Sequence, residues 1–170
     1  MGRLRVWTTV AGTALLLAAY GASLRAASGG RAPDVDMRDA NNVRIHLTDF
    51  RGKVVLLDLW ASWCKPCETS FPALDSLYRE YRGRGMEVVA VNLDERRKNA
   101  DTFLKLHPHE MLVVFDPRAR VMRAFGAPGI PSWYLIDRQG TIRHSHIGNP
   151  VDSIDDYRRE LEAVFAEPAR

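Results

Sequence analysis

The feature that most constrains this chain is the run Val54-Val55-Leu56-Leu57-Asp58-Leu59-Trp60, followed within a few residues by Trp63-Cys64-Lys65-Pro66-Cys67. An almost unbroken apolar run of that length fits a central strand covered on both faces rather than a half-solvated one. The residues after it read as a helix from about Cys67 to Tyr81, because Phe71, Leu74, Leu77, Tyr78 and Tyr81 fall on one side at helical spacing. Arg82-Gly83 reads as its stop. A buried strand running straight into a helix places both cysteines at the strand-to-helix junction.

The rest of the chain extends the pattern. Val35 to Leu47 alternates weakly around Asn41-Asn42, which predicts a small two-stranded hairpin. Met86 to Leu93 predicts a second buried strand, after which Asp94 is expected to cap a helix carrying Ala100, Phe103, Leu104 and His107 and ending before Pro108. Met111 to Phe115 predicts a third strand, stopped by Asp116-Pro117. Ser132 to Ile136 and Thr141 to Ile147 predict an antiparallel hairpin around Asp137-Arg138-Gln139-Gly140. Ser153, with Asp156 three residues on, reads as the capping box of a last helix bearing Ile154, Tyr157, Leu161, Val164 and Phe165. The order is β-α-β-α-β-(short α)-β-β-α. Helices between the early strands imply parallel pairing and an α/β fold with helices on both faces of a mixed sheet.

A chain of 170 residues has room for one domain. Residues 1–28 read separately: Arg3 and Arg5 precede an uncharged, Ala- and Leu-rich stretch from Val6 to Leu24, the pattern of an export signal or membrane anchor. Small residues at Ala26-Ala27-Ser28 offer a cleavage site, yet the apolar stretch is also just long enough to span a bilayer, so both forms stay open. The arginines keep that end in the cytoplasm and put the domain outside. Residues 29–34 read as a linker and 35–168 as the folded domain. Arg3, Arg5 and Arg25 also account for the whole basic excess: without them, 24 Lys and Arg fall to 21, against 21 Asp and Glu. A formally neutral domain gives nucleic-acid binding no support.

Two cysteines are too few for a disulfide-scaffold protein. At the start of a helix, unpaired backbone N–H groups and the helix dipole favour a thiolate. Lys65 adds a cation, and Pro66 suits the first helical turn, where a missing N–H matters least. Two intervening residues let the sulfurs meet, so the pair can alternate between dithiol and disulfide. Cys64 at the exposed tip would attack a target disulfide, and the shielded Cys67 would resolve the mixed disulfide. Asp58 shares the strand face of Trp60 and Ser62 by period-two spacing. Burial should raise its pKa and make it a proton acceptor for Cys67. A carboxylate merely satisfied by local hydrogen bonds is the other reading of Asp58.

Other readings of the cysteines are a static bridge, which so short a loop makes unrewarding, and zinc held with His144 and His146. The histidines are one residue apart, where zinc fingers have three to five between them, and they read instead as two solvent-side histidines on an edge strand. No metal or cofactor is expected. A copper- or haem-handling chaperone would use the same thiols as ligands, and a thiol peroxidase would use Cys64 alone.

With Gly129-Ile130-Pro131-Ser132 some sixty residues after Leu59-Trp60-Ala61-Ser62-Trp63-Cys64-Lys65-Pro66-Cys67, the chain resembles the thioredoxin superfamily. The export segment, Phe50-Arg51-Gly52-Lys53 and Leu135-Ile136-Asp137-Arg138-Gln139-Gly140 are most similar to its TlpA/ResA-like branch of exported thiol-disulfide reductases. The resemblance covers roughly Val35 to Phe165. It implies a three-layer α/β/α sandwich with an N-terminal strand extension and an insertion around residues 95 to 118. It further implies a cis Pro131 lying against the cysteine pair and an Ile130 backbone that helps hold an extended substrate segment; Trp63, Lys65 and Pro66 are the expected supporting residues of the active site. The implied partners are disulfide-containing exported proteins, with cytochrome c maturation as a setting, and a membrane thiol-disulfide electron donor. Membrane contact is expected only through the N-terminal segment, and the chain is expected to be a monomer. Two departures stand out: the branch commonly has Asn where this chain has Asp58, and an acid where it has Ser70. The proton-handling carboxylate is expected to have moved to Asp58.

Overall fold

A computed structural model describes residues 29–148 and 154–168. The expected export segment and the Ser153 capping box lie outside the described residues. Strands are β1 (Met37–Asp39), β2 (Arg44–Ile45), β3 (Val54–Trp60), β4 (Met86–Asn92), β5 (Leu112–Phe115), β6 (Ser132–Ile136) and β7 (Ile142–Ile147). Helices are α1 (Lys65–Tyr81), α2 (Arg97–Leu106), α3 (Arg120–Phe125) and α4 (Ile154–Ala166). The sheet runs β2-β1-β5-β4-β3-β6-β7. β3 pairs parallel with β4 and β4 with β5, whereas β1, β6 and β7 are antiparallel to their neighbours. The crossover helices force that mixture, since parallel strands need a long connection and hairpins do not.

Every residue of β3 is buried, as its apolar run predicts. Its even positions, Val54, Leu56 and Trp60, face a core shared with Phe71, Leu74 and Leu77 of α1, Ala100 and Phe103 of α2, and Tyr157, Leu161 and Val164 of α4. Its odd positions, Val55, Leu57 and Leu59, face a second core with Met37, Leu47 and, from α3, Val121 and Phe125. Helices therefore cover both faces, giving the three layers. The segment around 95 to 118 contributes α2 and β5, and the N-terminal hairpin extends the sheet beyond β5. Asn42 turns that hairpin at φ 63°, a conformation Asn tolerates through its short polar side chain.

Some local expectations shift. α1 begins at Lys65, two residues earlier than its apolar stripe indicates, because Cys64 itself is the N-cap. The helix ends at Tyr81 with Arg82 as C-cap, where Arg82-Gly83 predicts the stop, and the chain then makes a separate 3-10 turn, Arg82–Arg84, that Gly85 reverses at φ 88°. Asp94 does not cap α2; that helix starts after Arg96 with no side-chain cap. Residues 29–34, read as a linker, lie along the hairpin, with the amides of Gly29 and Ala32 donating to the carbonyls of Ile142 and Gly140.

Candidate active site

The carboxyl end of β3 delivers Ala61 to Trp63 and then the first turn of α1. Cys64 and Cys67 are joined by a disulfide, with Cα atoms 5.2 Å apart. The Cys67 amide donates to Cys64 Sγ at 3.3 Å, and the amides of Cys67 and Glu68 both approach the Cys64 carbonyl. The Cys67 amide is a first-turn donor with no i−4 partner in the helix, whereas the Glu68 bond is the first regular helical one. Pro66 occupies the second helical position, where the ring is compatible with the turn.

Two expectations about this turn need correction. Cys64 is at the tip of the motif but is only 5% exposed in the disulfide state, against 0% for Cys67. The order of accessibility stands, with little margin. Lys65 does not lend its charge to the sulfurs: its side chain is 87% exposed and its ammonium pairs with Glu68, whose carboxyl it holds below the usual range. A cation in water with its own counter-ion has little field left for a neighbour. Trp63, by contrast, stands 69% exposed beside the cysteines.

Asp58 is 1% exposed and lies on the even face of β3, the face that the cysteines cover. No protein group among the described residues bonds either carboxylate oxygen. The reading of Asp58 as satisfied by local hydrogen bonds therefore does not describe it. Desolvation, with no cation nearby to offset it, lifts its pKa to about 7. Ser70, where the family has an acid, is buried and donates its hydroxyl to the Cys67 carbonyl, so no charge stands there.

The Ile130–Pro131 bond is cis, as the resemblance implies. Register places Ser132 opposite Leu59, so the turn before it sits level with the end of β3. Ser132 closes that turn by donating to the Gly129 carbonyl at 2.6 Å. Gly129 and Ile130 then line an apolar groove of about 410 Å³ together with Trp63, Leu93, Ala119 and Met122. The groove brings together the exposed tryptophan of the cysteine motif and the residue expected to hold substrate.

Sequence reasoning missed Asp94. Its buried carboxylate accepts from the Ser62 amide at 2.9 Å, the Ser62 hydroxyl at 2.7 Å and Asn92 Nδ2 at 2.7 Å. It thus clamps the loop that carries Cys64 to the end of β4. The available clue is the parallel register Trp60 to Asn92, which sets the loops after β3 and β4 side by side. His144 and His146 are not free solvent-side groups either. Both are half-buried on β7, and their partner is Glu160 of α4 rather than the cysteines.

Comparison with known proteins places this geometry among relatives. The family model described as Redoxin matches residues 27–162. Thiol-disulfide oxidoreductase ResA of Geobacillus thermodenitrificans (strain NG80-2) is 34% identical over 159 residues, covering 88% of this chain and 90% of that protein. ResA of Bacillus subtilis (strain 168) is 34% identical over 130 residues, 76% and 73% of the two chains. Among solved structures, a putative thiol:disulfide interchange protein DsbE from Chlorobium tepidum superposes with a TM-score of 0.79 at 37% identity, over 82% of this chain and 98% of that one.

Proposed function

The chain belongs to the Redoxin family as a ResA-like thiol-disulfide oxidoreductase of the thioredoxin superfamily, and from that membership we infer that it reduces disulfides in exported proteins. Thiol-disulfide exchange and disulfide-containing substrates come with the family; the direction, the residue roles and the place of action are our reading. The observation that carries it is the Cys64–Cys67 disulfide at the first turn of α1, with the Cys67 amide aimed at Cys64 Sγ.

In the reduced protein, Cys64 reacts as a thiolate stabilised by that amide and the helix dipole. Its sulfur attacks one sulfur of the substrate disulfide. A Cys64–substrate bond forms, the substrate S–S bond breaks, and the departing thiolate takes a proton. Asp58 then accepts the Cys67 proton, and Cys67 attacks Cys64 Sγ. The internal disulfide forms, the second substrate sulfur leaves as a thiolate, and Asp58 returns the proton to it. Two electrons pass to the substrate, and a membrane thiol-disulfide donor restores them. A carboxyl with a pKa of about 7 suits both halves of that proton transfer. Trp63, Ile130 and the groove between them support binding of an extended apolar segment, with the Ile130 backbone as its hydrogen-bonding edge, cis-Pro131 beside it, and Lys65 and Pro66 shaping the turn.

Residues 1–28 place the domain outside the cytoplasmic membrane of a bacterium, as a cleaved signal or a retained anchor and as the only membrane contact. The domain spans 35–168 and works as a monomer, with apocytochrome c as the proposed client in cytochrome c maturation. Equilibration of the cysteine pair in glutathione buffers tests the direction. A reduction potential below that of the glutathione couple supports reduction. A strongly oxidising pair overturns it.

A further inference from the structure

We propose that His144, His146 and Glu160 form a zinc site that fastens the edge strand β7 to the C-terminal helix α4. The thiol-exchange chemistry does not use these residues. Period-two spacing on β7 puts both imidazoles on one side of the strand, and α4 presents Glu160 to them. His146 Nε2 lies 3.0 Å from Glu160 Oε1 and 2.9 Å from Oε2, and His144 Nδ1 lies 3.4 Å from Oε1. One ligand atom from each residue falls within 4.8 Å of the other two.

The three histidine–carboxylate separations, 2.9, 3.0 and 3.4 Å, lie near what zinc requires. Nitrogen and oxygen ligands at about 2.0 to 2.2 Å from a tetrahedral ion sit about 3.3 Å from one another. The donor set of two imidazoles and a carboxylate suits a first-row transition ion, whereas calcium and magnesium take oxygen ligands. The His146 ring is held in place from behind, stacked on the buried Trp133 with centroids 4.4 Å apart and planes 17° apart. Trp133 is fixed in turn by donating Nε1 to the Tyr157 hydroxyl at 2.6 Å. Stacking fixes the plane of the His146 ring and with it the direction of Nε2. All three side chains remain partly open to solvent, which gives an ion a path in and leaves room for a water as fourth ligand.

The test uses the full-length protein with its disulfide closed, so that the thiols cannot bind metal, titrated with zinc chloride near neutral pH by calorimetry and by thermal unfolding. One equivalent of zinc should bind, with a rise in Tm that grows with zinc concentration. Glu160→Gln and His144→Gln, each with unchanged circular dichroism, should weaken binding by no less than the roughly 10- to 100-fold typical of losing a group behind a ligand. No saturable binding to the wild-type protein overturns the proposal. Wild-type affinity in either variant also overturns it, because it assigns the zinc to other residues. Magnesium should produce no shift, and a matching magnesium effect counts against the site.

Discussion

The backbone amide of Cys67 donates to the sulfur of Cys64 across the first turn of α1, at 3.3 Å. That one contact makes the two cysteines unequal: Cys64 receives the hydrogen bond, and Cys67 supplies it from beneath. In the reduced protein, Cys64 should therefore react with iodoacetamide at neutral pH several-fold faster than a cysteine in an unstructured peptide. Cys67→Ser should accumulate a mixed disulfide with a peptide substrate, visible as an added mass, and Cys64→Ser should form none. Equal trapping by both variants would show that the roles are misassigned.

Asp58 predicts an inverted pH dependence of stability. Its pKa rises from 3.8 to about 7 on folding because burial disfavours the charge. The native state thus binds its proton more tightly than the unfolded chain. Its contribution is fully present below about pH 4 and is lost as pH rises through about 7. The span corresponds to something on the order of 4 kcal/mol. Denaturant titrations of Asp58→Asn should lack this decline, so that the variant gains on the wild type as pH increases. The same variant should alter the pH profile of Cys67 titration; an unchanged profile would remove Asp58 from the proton transfer.

Asp94 predicts a coupling between stability and exchange rate. Asp94→Ala leaves the Ser62 amide, the Ser62 hydroxyl and Asn92 Nδ2 without their shared acceptor. Buried donors stranded in this way cost about 1 to 3 kcal/mol. Chemical denaturation should show a loss of about 2 kcal/mol or more, and Cys64 alkylation should slow because its loop is no longer held to β4. Asp94→Asn, which keeps one acceptor oxygen, should recover part of both.

Trp63 predicts a change in binding without a change in thiol chemistry. Its exposed indole lines the apolar groove with Ile130 and Met122, and it bonds to neither sulfur. Trp63→Ala should raise KM for a disulfide-bonded peptide several-fold while leaving the alkylation rate of Cys64 near that of the wild type. Parallel losses in both measurements would mean that Trp63 shapes the turn itself.

What could be read along the chain is what short-range physics dictates. The apolar run of β3, the helical stripe of α1, the proline in the first helical turn and the glycine that closes the β6–β7 hairpin all act within a few residues. They suffice for the element order, the parallel pairing and the junction that carries Cys64 and Cys67. The position of Asp58 on the cysteine-facing side of β3 also followed, since alternation along a strand is local.

The remainder depended on which distant segments become neighbours. Asp94 looks like a helix cap in isolation, but parallel register brings the loop before Cys64 within its reach, and the two Ser62 donors and Asn92 outcompete α2 for its carboxylate. Lys65 and Cys64 depart from their local reading for a related reason. The lysine side chain finds Glu68 one turn along instead of the sulfurs, and closure of the disulfide against the core covers a tip that spacing alone leaves open. His144 and His146 acquire Glu160 only because α4 returns across the sheet to β7. Periodicity assigns a side chain to a face; the packing of separate elements decides what that face meets.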